Sequence, residues 1–113
     1  MITLHVYLSA KPGKNDALVS AILDNWLPEM ANQPGFINCA LVKPLPKSEL
    51  ATMGAETPTT TYEAVSFWNS ERERKDWVAR PIHDEVFAPI IDAAASLSWT
   101  VQNVQRSWGV NSP

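Results

Sequence analysis

The sequence predicts an α+β fold of the split βαβ, ferredoxin-like kind, a four-stranded antiparallel sheet with helices on one face. Three observations predict it. Four stretches, 2–9, 36–44, 60–69 and 98–108, alternate residue character or carry β-branched and aromatic residues between turn signals. Two longer stretches repeat their apolar residues at helical spacing. The order that results is β-α-β-loop-β-α-β, and at 113 residues the chain has room for one core, hence one domain over 1–113.

The first strand is ITLHVYLS, with Ile2, Leu4, Val6 and Leu8 on one face and Thr3, His5 and Tyr7 on the other. The turn Lys11-Pro12-Gly13 leads into a helix whose stripe is Val19, Ile22, Leu23, Trp26 and Met30. Pro28 has no amide hydrogen, which predicts a kink or a loosened last turn. After Gln33-Pro34-Gly35 the strand FINCALVKP begins, with Cys39 beside Ile37 and Leu41 and so expected to be buried and inert. Residues 45–60 have no sustained period and read as a long loop, either a lid or dimer arm or a mobile surface insertion, with one helical turn at Ser48 to Met53.

The third strand places Tyr62, Ala64, Ser66 and Trp68 opposite Glu63, Val65 and Phe67. Ser70, with Glu71 and Glu73 behind it, is an N-cap signal. Arg80 precedes Pro81, so the helix breaks there and a second segment starts with Pro81. Its stripe is Ile82, Val86, Ile90, Ala93 and Leu97. The run Glu71 to Asp76 reads as a solvated face, and Trp99 and Trp108 as core or dimer residues.

Composition excludes several functions. A net charge of −3 with pI near 5.2 offers no basic patch, so neither nucleic acid nor a membrane surface is an expected partner. No apolar run reaches about 18 residues and no basic leader precedes an apolar stretch, which predicts neither a membrane span nor a signal peptide. A single cysteine permits no internal disulfide, which fits the cytoplasm. Glycine-rich phosphate loops, HExxH, CxxC and GxSxG are all absent.

With helices on one face only, the other face of the sheet needs a cover, and a second copy of the chain supplies it most economically, as a two-fold homodimer. By face, that side should receive His5, Tyr7, Asn38, Tyr62, Ser66 and Trp68, with Trp77 and His83 entering from the helices. Aromatic rings with a few polar tips suit a flat phenolic molecule, though the same residues would also serve as a dimer core. His83 and His5 are the candidate bases, because imidazole titrates near neutral pH. Tyr7 and Tyr62 are either structural or placed to orient a substrate oxygen, Trp26 and Trp77 belong to the core or the pocket wall, and Arg80 meets an anion or solvent.

The element order, the Pro34-Gly35-Phe36 turn and the segment SFWNSERERKDWVARPIHDEVF resemble the antibiotic biosynthesis monooxygenase group of the dimeric α/β barrel superfamily. In that group the third strand ends in Trp, here Trp68, before a Ser-rich or acidic helix start, here Asn69 to Glu71. A later His follows a Pro-containing pair, here His83 after Arg80-Pro81-Ile82. The resemblance spans residues 2–108 outside the 45–60 loop. It implies oxidation of a phenol, hydroquinone or anthrone by O2 with no bound cofactor and no metal.

Two departures qualify what the resemblance implies. Ala64 stands where the phenol oxygenases carry an Asn. In the haem-degrading branch, Trp77 matches a Trp, but Phe87 stands where that branch has its axial His and the first strand offers Val6 or Tyr7 for its Asn, which argues against haem. The expected reaction is therefore cofactor-free oxygenation. A cyclase or isomerase using the same base, and a non-catalytic binder, are the alternatives.

Overall fold

Strand β1, Ile2–Ala10, lies at the centre of the molecule. It pairs antiparallel with β3, Tyr62–Trp68, on one side and with β4, Ala94–Asn103, on the other, and β2, Phe36–Val42, pairs with β3 to give the order β2-β3-β1-β4. The computed structural model describes residues 1–110.

The helices of residues 15–30 and 71–93 pack on the face that carries Ile2, Leu4, Val6 and Leu8, each buried. Register then assigns the faces of the other strands, because residues directly opposite each other share a face. Leu8 pairs with Tyr62, Val6 with Ala64, Leu4 with Ser66 and Ile2 with Trp68. Tyr62, Ser66 and Trp68 therefore face the helices, which corrects the expectation that they lie on the uncovered side. Neither face of β3 is plainly apolar, so only pairing with β1 orients it. The uncovered face carries Thr3, His5 and Tyr7 beside Phe67, Val65 and Glu63, with Asn38 opposite Phe67.

Helix α1, Asn15–Ala21, runs into a π-helical turn, Ile22–Trp26, and then into α2, Leu27–Met30. The Leu27 N–H bonds to the Ile22 carbonyl five residues back. Pro28 has no N–H for the next carbonyl, and the widened turn is the loosening it predicted. Helix α3, Lys47–Met53, occupies part of the 45–60 stretch and ends at Gly54 with φ +71°.

Helix α4, Glu71–Ala79, starts where Ser70 Oγ accepts the Glu73 N–H at 3.2 Å. Extended Arg80 (φ −76°, ψ 140°) separates it from α5, Pro81–Ala93, which contains Pro89 without ending. The last helix passes directly into β4 at Ala94, so Leu97 belongs to the strand, and the strand ends at Asn103, short of Trp108.

Between sheet and helices the core packs Trp68, Trp77, Leu18, Ile22, Met30 and Ile90, all fully buried. Arg74, read as solvated, is 7% exposed, against expectation, while Trp99 and Trp108 are 61% and 78% exposed and so lie outside the core of the single chain.

Candidate functional site

The sheet and helices do not close completely on each other. Between them lies a cavity of about 390 Å³. Leu4 and Val6 of β1 with Leu97 and Trp99 of β4 form its sheet side. Arg74, Lys75, Val78 and Ala79 of α4 and His83 and Phe87 of α5 form its helix side, and Trp26 joins them from the π-helical turn. The spacing 74, 75, 78, 79, 83, 87 is one helical face continued across the Arg80-Pro81 break.

His83 enters because Pro81 starts α5 two residues earlier, and its own N–H bonds to the Arg80 carbonyl at 3.0 Å. Its ring is held by Phe87, stacked at 5.3 Å, and by the edge of Trp77 at 5.0 Å. The side chain is 13% exposed. Nδ1 makes one long contact, 3.5 Å, to the Asp84 carboxylate, and Nε2 has no hydrogen-bond partner among the described residues. A positioned imidazole with one nitrogen disengaged can accept a proton from a ligand that reaches it.

Trp26 packs edge-on to Phe87 at 5.3 Å. Its Nε1 is buried with no hydrogen-bond partner among the described residues. A buried donor left unmade costs about 1–3 kcal/mol.

Arg74 points its guanidinium at Trp99, 5.4 Å from the ring centroid. Its Nε donates to both Glu71 carboxylate oxygens at 3.0 and 3.1 Å, and Nη2 donates to the nearer one. The hydrogen bond from Arg74 holds the Glu71 carboxyl below its ordinary pKa, with the charges of Arg74 and Lys75 adding to the effect.

Of the residues expected at a site, the structure brings Trp26 and His83 together around this cavity, with Trp77 behind the imidazole. His5, Tyr7 and Asn38 lie across the sheet from it. Both His5 nitrogens are already engaged, Nδ1 with Glu63 at 2.8 Å and Nε2 with Thr3 at 2.9 Å, which leaves no free nitrogen for a substrate proton. Tyr62 faces the helices but donates its hydroxyl to Asn15 at 2.9 Å. Ser66 accepts the Trp68 indole N–H at 2.9 Å, so this pair is a satisfied core contact. Arg80 donates to Gln33 at 3.1 Å.

None of residues 45–60 lines the cavity. Arg74, Lys75, Phe87 and Trp99 are wall residues that the sequence reading did not select. The signal for Arg74 was present, since it stands three residues before Trp77 on one helical face.

Cys39 is half-buried and burial pushes its thiol pKa up. Among the described residues no group of three or more His, Cys, Asp or Glu side chains is arranged to hold a metal ion. No helix among them is long and apolar enough to cross a membrane.

Residues 1–88 match the family model described as antibiotic biosynthesis monooxygenase. The fold is similar to that of SnoaB, a cofactor-independent oxygenase from Streptomyces nogalater solved in a mutant form, with TM-score 0.74 and 13% identity over 96% of each chain. It is similar also to a protein of Deinococcus radiodurans named for the same family, with TM-score 0.75 and 13% identity over 98% of this chain and 99% of that one. A Chloroflexus aurantiacus protein so named gives TM-score 0.71 and 17% identity over 97% and 98%. At these identities the likeness is one of fold. No curated protein matches the sequence significantly.

Proposed function

The chain belongs to the antibiotic biosynthesis monooxygenase family, and from that membership we propose that it is a cofactor-independent monooxygenase, oxidising a phenolic, hydroquinone or anthrone-like aromatic with O2 in the cavity beneath α4 and α5. The observation that carries this reading is the imidazole of His83, pinned between Phe87 and Trp77 at an otherwise largely apolar wall, with Nε2 disengaged. Apolar walls suit a flat ring system, and the base is placed where such a ring would lie.

In this reading His83 takes the acidic proton of the phenol or anthrone. The resulting anion passes one electron to O2, and the radical and superoxide combine into a carbon-bound peroxide. Protonation from His83 and loss of water leave a carbonyl. For a ring CH2 group the balance closes: one oxygen atom of O2 stays as the carbonyl, the other leaves as water with the two hydrogens, and no outside reductant is needed. Low-dielectric walls strengthen the interaction between the substrate anion and the imidazolium.

Ala64 gives this chain no amide at the position where related phenol oxygenases carry Asn. The buried, unpartnered Trp26 Nε1–H is the donor we assign to the substrate carbonyl in its place. The uncovered sheet face is assigned to a second copy of the chain.

The test is O2 uptake by the purified protein with a panel of hydroquinones and anthrones. Uptake that is matched by carbonyl product and lost in His83→Ala supports the proposal. Product formed without O2 uptake would point to a cyclase or isomerase, and tight binding of an unchanged ligand to a binding protein.

A further inference from the structure

The charges around the cavity are one-sided. The chain carries twelve acidic residues against nine basic ones, yet no Asp or Glu lines the cavity while Arg74 and Lys75 both do. Arg74 is the stronger of these two observations, because the residue is only 7% exposed and carries its guanidinium at a wall that is apolar apart from Lys75 and His83. Arginine is rarely buried without a reason for its charge.

Glu71 supplies only part of that reason. It takes up Nε and one side of Nη2, and the Nη1 donors have no hydrogen-bond partner among the described residues. Glu71 is not itself a wall residue, and its carboxylate pairs with Nε and Nη2 while leaving the Nη1 donors unengaged. The Arg74 guanidinium carbon lies over the Trp99 ring, 5.4 Å from its centroid, a second contact that holds the group at the wall. A planar fork with free donors beside a lysine, over apolar walls, matches a carboxylate on an aromatic ring.

We infer that Arg74, assisted by Lys75, is a specificity-determining residue and that the ligand of this cavity is an aromatic carboxylic acid, its carboxylate at Arg74 and its phenolic end at His83. The inference deepens the proposed function and rests on the same cavity being the binding site.

The experiment compares 1-hydroxy-2-naphthoate with 1-naphthol, which share a ring and a phenol and differ in the carboxylate, by calorimetric titration of wild type and Arg74→Leu. Wild type should bind the naphthoate about tenfold more tightly than 1-naphthol or better, and Arg74→Leu should lose that preference and bind both alike. Should Arg74→Leu not yield folded protein, Arg74→Gln serves, and the wild-type comparison stands by itself.

Equal affinities in wild type, or a preference that survives in the Arg74 variant, would overturn the assignment. In the first case, binding of both ligands leaves the cavity reading intact. Should the carboxylate preference hold while no acidic hydroquinone supports O2 uptake, the oxygenase reading fails and the ligand class stands. If neither compound binds, both readings fall.

Discussion

His83 and His5 have opposite circumstances in the same small molecule. His5 is bonded through both ring nitrogens, whereas His83 is held by ring contacts that leave Nε2 open. His83→Ala is therefore expected to lower O2 uptake about 100-fold or more with an unchanged circular dichroism spectrum, and His5→Ala to leave turnover within a few-fold of wild type. For Trp26, replacement by Phe keeps a ring in the wall and deletes the unpartnered N–H. Turnover should fall roughly tenfold while the unfolding midpoint holds or rises, because a buried unsatisfied donor contributes nothing to stability. A fall in both would mean that the indole is a packing residue only. At Glu71 the carboxyl pKa lies below its ordinary value of 4.5. A group depressed on folding stabilises the fold above its unfolded pKa and loses that contribution as pH falls through the folded one. The thermal midpoints of wild type and Glu71→Gln should therefore differ at pH 7 and converge below about pH 4.5, and a constant difference would remove the pairing as its cause.

At the scale of elements, the site depends on where α4 begins and where it stops. Ser70 starts it through the Glu73 amide, so Ser70→Ala should cost about 1 kcal/mol in denaturant unfolding. Gly35 holds the preceding turn against the same helix: its φ is +85°, its carbonyl accepts the Asn69 N–H at 2.8 Å, and a Cβ there would collide with the Glu73 side chain. Gly35→Ala is expected to destabilise by roughly 1–3 kcal/mol, more than the left-handed backbone alone would require. These features were legible in the residues, since Ser70 with Glu73, Pro34-Gly35 and Arg80-Pro81 are local signals set by backbone geometry. The end of α5 was not legible. Leu97 continues the helical stripe in sequence, but pairing with Leu8 across the sheet takes it into β4. Non-local hydrogen bonding outweighed a local pattern there.

For the whole molecule, one sheet face is covered by helices and the other carries Thr3, His5, Tyr7, Val65 and Phe67 with no covering element among the described residues. The expected outcome of light scattering is a mass twice that of the 12.5 kDa chain. A stable monomer at micromolar concentration would sink the pairing proposed for that face. The sequence by itself determined the element order, the helix caps and breaks, and the presence of an apolar face on β1, because each follows from local backbone chemistry or from a period of two or 3.6. Only the tertiary structure decided which way β3 faces, and with it the place of the site. Tyr62, Ser66 and Trp68 turn toward the helices because register with β1 requires it, a relation between residues about 60 apart that no periodicity contains. That register also moved the cavity from the open face to the space under α4 and α5, where Arg74, one of the charges in the run ERERKD, joins His83 and Trp26 in the wall.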